Sequence, residues 1–100
     1  MEKTIVRVYD VECYLEFGKY PNGRRAIRLV DAIDHEEYAV ATINVIDAAL
    51  LPGHVAIKDY SENVGILEAL VEAGVVIDTG VRVSTGLTSV PVVALAEAYQ

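Results

Sequence analysis

Val11-Glu12-Cys13-Tyr14-Leu15-Glu16-Phe17-Gly18-Lys19-Tyr20-Pro21-Asn22-Gly23-Arg24-Arg25 decides the fold class. Val11, Cys13, Leu15 and Phe17 alternate with Glu12, Tyr14 and Glu16, a period of about two that places one set on each face of a strand. Pro21 presets φ at the first corner of a turn, and Asn22-Gly23 tolerates the positive φ that follows. The chain returns over Arg24 to Asp31, so the stretch reads as a β-hairpin.

Outward from this hairpin, Lys3 to Tyr9 is rich in β-branched residues and reads as an earlier strand, with Asp10 at a turn or bulge. Asp34-His35-Glu36-Glu37 marks a second turn, and Tyr38 to Val45 alternates again. A loop from Asp47 ends at Pro52-Gly53, before a short strand from His54 to Lys58. One helix is expected next. Asp59-x-x-Glu62 fits a capping box, with Ser61 or Asn63 as alternative caps. Val64, Leu67 and Val71, flanked by Ile66 and Leu70, form its apolar stripe, while Glu62, Glu68 and Glu72 stay outside. Gly65 then falls in the first helical turns, at a cost of about 1 kcal/mol relative to alanine, and suits a close approach to a strand or a partner. Gly74 stands where a left-handed C-cap belongs.

Val75 to Asp78, a Thr79-Gly80 turn and Val81 to Ser84 follow, then a turn at Thr85-Gly86. The last strand, Leu87 to Leu95, is interrupted by Pro91, which predicts an edge or a bulge there. Ala94 to Gln100 ends as a short helical or frayed tail. The order describes a single α+β domain over residues 1–100, an antiparallel β-sheet meander packed with one principal α-helix.

At 100 residues with 53% hydrophobic content, the chain can bury one core and no more. The apolar runs Ala48 to Leu51 and Gly74 to Ile77 are far shorter than the roughly 20 residues that cross a bilayer. The charged N-terminus does not resemble a signal peptide, so a cytoplasmic location is expected.

The net charge of −7 is unevenly spread. Residues 1–28 carry +2, whereas residues 29–100 carry −9 with only Lys58 and Arg82 as bases. Such a field disfavours nonspecific nucleic-acid binding and favours encounter with basic surfaces, although acidity also serves solubility alone.

Lys19, Arg24, Arg25 and Arg28, with Tyr20 among them, crowd one end of the hairpin. They read either as a contact for phosphate, nucleic acid or an acidic protein patch, or as edge-strand protection. Lys58, Asp59, Tyr60, Glu62, Asn63, Glu68 and Glu72 read as an acidic partner-binding face with Tyr60 as anchor, or as an ordinary solvated helix face.

Catalytic signals are weak. Cys13 is alone and on the buried face of a strand, so it reads as a core thiol. His35 sits in an acidic turn and His54 begins a strand, neither with a metal-ligand spacing. Ser61, Ser84 and Ser89 lack a nucleophile-elbow setting, and no phosphate-binding glycine loop is present. The chain is therefore read as non-enzymatic, with no metal or cofactor expected.

Phe17-Gly18-Lys19-Tyr20-x-Asn22-Gly23-Arg24, Leu29-Val30-Asp31-Ala32 and Tyr38-Ala39-Val40-Ala41-Thr42-x-Asn44 resemble a family of small uncharacterised bacterial proteins, domain of unknown function 4313. Ile57-Lys58-Asp59-Tyr60-Ser61-Glu62-Asn63, Leu67 to Gly74 and Asp78-Thr79-Gly80 extend the resemblance to about Leu95. Val64 stands where the pattern has an acidic residue. The resemblance implies a mobile-element setting (plasmids, conjugative elements, phages) and no assigned reaction. By analogy of context, it implies an inhibitor of a host defence complex, of the anti-CRISPR or anti-restriction type. The alternative is a nucleic-acid or nucleotide binder using the basic hairpin. A homodimer paired through an open sheet edge is compatible with either.

Overall fold

The computed structural model describes residues 4–100. Ile5–Val8 (β1), Val11–Lys19 (β2), Arg25–Asp31 (β3) and Glu37–Val40 (β4) form an antiparallel meander in the order β1-β2-β3-β4. Thr42–Ile43 (β5), His54–Ile57 (β6), Val76–Ser84 (β7) and Ser89–Leu95 (β8) form a second sheet in the order β5-β6-β8-β7. One α-helix, Ile66–Glu72 (α1), lies between β6 and β7 in the chain, and 3₁₀ turns occupy Ser61–Asn63 and Glu97–Tyr99. The protein is thus α+β, a β-meander with a single α-helix, as the alternation predicts. Lys3, the expected start of the first strand, lies outside the described residues.

The hairpin forms where the sequence places it. The Gly23 amide donates to the Tyr20 carbonyl at 2.9 Å, and the Tyr20 amide donates to Arg24 at 2.8 Å. Gly23 takes the positive φ of +87° that closes such a turn. In register, Cys13 faces Val6 and Leu15 faces Leu29. Cys13 and Leu29 are fully buried, with Val11 and Leu15 packed against them. The solvent face carries cross-strand charge pairs, Arg7 with Glu12 and Arg28 with Glu16. Tyr14, on that outer face, is nonetheless buried, and its hydroxyl meets His35 Nδ1 at 3.1 Å.

The expected single strand from Tyr38 to Val45 is divided. Ala41 breaks it: its amide donates to Ile27 in the first sheet, and its carbonyl accepts from the Lys58 amide beside the second. The residues before it pair with β3 and those after it with β6. The two sheets enclose one core, in which Val6, Ile27 and Leu29 meet Val55, Ile57, Val93 and Leu95, with α1 packed against β1 and β7.

The helix differs from its expected form. It begins after Gly65, which adopts φ +100°, so its phase buries Ile66, Ala69 and Leu70 and leaves Val64 and Val71 exposed. The expected stripe of Val64, Leu67 and Val71 assumed a helix running unbroken from Asp59. Its end does match: Gly74 is left-handed and donates to Val71, and Val75 donates to Leu70, the paired bonds of a Schellman motif. Leu70 and Val75 are both fully buried there.

Thr79-Gly80 is a bulge inside the continuous strand β7, not a turn between two strands, since the register shifts between Asp78 and Val81. Asp78 Oδ1 accepts from the Gly80 amide, and the Thr79 hydroxyl donates to Val92, so side chains stand in for the interrupted ladder. Strand β8 is an inner strand, yet β6 pairs with it only as far as Ala56 opposite Val92. Pro91 lies just beyond, so its missing N–H faces no paired neighbour on that side.

Candidate functional site

The segment Lys58 to Asn63 enters α1 without being α-helical, its last three residues forming a 3₁₀ turn. Asp59 Oδ1 accepts from the amides of Gly65 at 3.0 Å and Leu67 at 3.1 Å, so it caps the helix from six and eight residues away. The expected Asp59–Glu62 capping box is therefore replaced by a longer span. Glu62 instead pairs with Lys58 at 3.0 Å, and the Lys58 ammonium lies 5.6 Å from the centre of the Tyr60 ring. The hydrogen bond to Glu62 and its charge raise the Lys58 pKa, while the Glu62 backbone amide and then Lys58 lower that of Glu62. Asn63 is 3% exposed and donates through Nδ2 to the Val40 carbonyl at 2.8 Å. Asn63 and Asp59 are therefore occupied inside the fold, and neither offers a partner its side-chain hydrogen bonds as the sequence reading expects.

Glu68 and Glu72 are exposed, one turn apart on α1. With Arg7, Tyr9, Gly65 and Ala69 they line a shallow cleft of about 230 Å³. Glu62 does not line it. Tyr9, in the turn between β1 and β2, is 69% exposed at φ +54°, and its hydroxyl donates to the Val64 carbonyl at 2.9 Å. Val64 is itself 52% exposed. The sequence reading of this face omits Arg7, Tyr9 and Val64. No periodic signal links Tyr9 to a residue 55 positions away, and an exposed apolar residue is hard to foresee when Val64 is assigned to a buried stripe.

The basic hairpin separates into two groups. Arg28 is paired with Glu16 and, at 3.7 Å, with Glu37, so its charge is compensated on the outer face of the first sheet. Tyr20 turns toward the second sheet, where its hydroxyl meets the buried Thr42 Oγ1 at 2.9 Å. Lys19, Arg24 and Arg25 line a larger cleft of about 840 Å³, whose other wall is the 46–55 segment with His54. Arg24 donates to the carbonyls of Val45 and Ala48 and to Asn44 Oδ1, which fastens that wall to the hairpin. Arg25 lies over the Phe17 ring, 5.9 Å from its centre, and Phe17 stacks on Tyr99.

No family model matches this chain, and no curated protein or solved structure does either.

For catalysis the arrangement offers little. Cys13 is fully buried, and burial, with Asp31 adding to it, pushes its thiol up to about 11, so it stays protonated and unreactive near neutral pH. Among the described residues no group of three His, Cys, Asp or Glu side chains is placed to hold a metal ion. His35 is hydrogen-bonded to Tyr14 through Nδ1. No helix of the described residues is long and apolar enough to cross a membrane.

Proposed function

We propose that this chain is a non-enzymatic interaction domain that binds a basic protein surface through the Glu68–Glu72 face of α1. The observation that carries the reading is the company these carboxylates keep. Neither forms an ion pair among the described residues, and both line one cleft with the exposed Tyr9 and with Arg7, whose own ion pair is to Glu12. Exposed aromatics set among charges supply interface energy and specificity together, and uncompensated carboxylates steer a basic partner toward them. The family resemblance adds the kind of partner. A mobile-element protein with this face would occupy the nucleic-acid groove of a host defence complex, whether a CRISPR effector or a restriction enzyme.

The test is capture of partners from host lysate by the tagged chain, with and without nuclease, run beside a Glu62→Lys/Glu68→Lys/Glu72→Lys variant. A nuclease-resistant defence complex held by the native chain and lost by the folded variant is the expected result. Equal capture by the two proteins, or capture that vanishes with nuclease, would defeat the reading.

A further inference from the structure

We propose that the cleft between the β2–β3 turn and the 46–55 segment binds an organic phosphate, with Lys19 and Arg25 on the phosphate and Leu50 and Leu51 against its apolar body. Three observations carry this. The first is charge. In a chain of net charge −7, Lys19, Arg24 and Arg25 line this cleft and no aspartate or glutamate side chain does.

The second is register. Lys19 and Arg25 are direct cross-strand partners, so two cations stand opposite each other on one face. Like charges so placed destabilise a sheet. Elsewhere in the same sheet the matching positions hold opposite charges, Arg7 facing Glu12 and Glu16 facing Arg28. Among the described residues neither Lys19 nor Arg25 has a carboxylate partner. A bound anion of more than one charge would relieve this repulsion, and the guanidinium fork of Arg25 matches the oxygens of a phosphate.

The third is construction. Arg24 is satisfied by neutral oxygens alone, so its charge is fixed at the cleft without being cancelled, and the same bonds hold the facing wall in place. The resulting volume of about 840 Å³ falls within the size range of small-molecule sites. Its apolar wall includes Leu51, which is 68% exposed. A monocarboxylate would leave one of the facing cations uncompensated, which is why a phosphate ester is the better fit.

The experiment is isothermal titration calorimetry of the full chain with ADP and, separately, hexyl phosphate, at an ionic strength of about 20 mM where screening is weak. Binding of at least one of them with Kd below about 1 mM is expected, weakened about fivefold or more by Lys19→Ala or by Arg25→Ala. Which probe binds tells whether the body is a nucleotide or an aliphatic ester. A second reading comes from thermal melts, in which the bound probe raises the Tm of the native chain and not of the folded Lys19→Ala/Arg25→Ala variant. The proposal is overturned if neither probe binds, or if the double variant binds as well as the native chain. It is equally overturned if only a single-stranded oligonucleotide binds. Lys19 and Arg25 do not line the Glu68–Glu72 cleft, so failure here leaves the partner-binding reading to its own test.

Discussion

Gly65→Ala is expected to destabilise the domain by about 2–4 kcal/mol. Gly65 holds φ +100° and ψ −12°, a conformation that costs an L-residue roughly 1–3 kcal/mol. An added Cβ would also stand 3.1 Å from the Tyr9 hydroxyl oxygen and 3.3 Å from its Cζ. The exposed Tyr9 ring can swing away, but only by giving up its hydrogen bond to the Val64 carbonyl, worth about 1 kcal/mol net. For a domain of this size the sum lowers Tm by roughly 10–25 °C. Urea unfolding followed by circular dichroism measures it, with Tyr9→Ala and the double variant completing a cycle. The double variant should be more stable than additivity predicts by about 1 kcal/mol, because the clash and the lost bond are then counted once. Were Gly65 inside a helix, alanine would stabilise it by about 1 kcal/mol. A Gly65→Ala protein as stable as the native chain would refute the left-handed break and the Tyr9 contact together.

Two further outcomes follow from the same geometry. Asp59→Ala removes the acceptor for the Gly65 and Leu67 amides and should cost about 1–2 kcal/mol in chemical denaturation, with loss of helical ellipticity. Cys13 should resist a thiol reagent at pH 8 until the protein unfolds. Its raised pKa means that the folded state favours the protonated thiol, so this contribution is fully present below about 9 and is lost as pH rises toward about 11. Denaturation midpoints measured across that interval should fall with pH, and the slope should be smaller in Cys13→Ala.

The hairpin and the helix end were legible because their signals are local. Period-two alternation and Pro-Asn-Gly specify residues 11–31 within a few positions of one another, and the turn at Gly74 terminates α1 by bonds that reach back three and five residues. The helix start was not legible. Asp59 has the spacing of a capping box with Glu62, yet its carboxylate serves the amides of Gly65 and Leu67, and nothing in the pattern shows that Tyr60 to Val64 is not α-helical. Ala41 continues an alternating run, so the run alone cannot reveal a change of sheet. Of the candidate faces, the sequence located Glu68 and Glu72 but could not supply Tyr9. It located Lys19, Arg24 and Arg25 but not the His54 wall that Arg24 secures. Both omissions are contacts between segments far apart in the chain, where composition carries no distance information.

Ala41 has a consequence for how the molecule comes apart. The two adjacent peptide units that meet at a residue with no functional group tie the two sheets together, beside the bond from the Ile27 amide to Thr42 Oγ1 and the Tyr20–Thr42 hydroxyl contact. The Ala41 amide proton can exchange with solvent only when the first sheet releases Ile27, and its carbonyl frees the Lys58 amide only when the second sheet lets go. In deuterium exchange these two protons should keep time with the slowest amides of the protein, reporting global unfolding and not local opening. Neither half can then fray alone along this seam, so a partner gripping the helix side and a ligand filling the hairpin cleft would each feel the whole domain as one body.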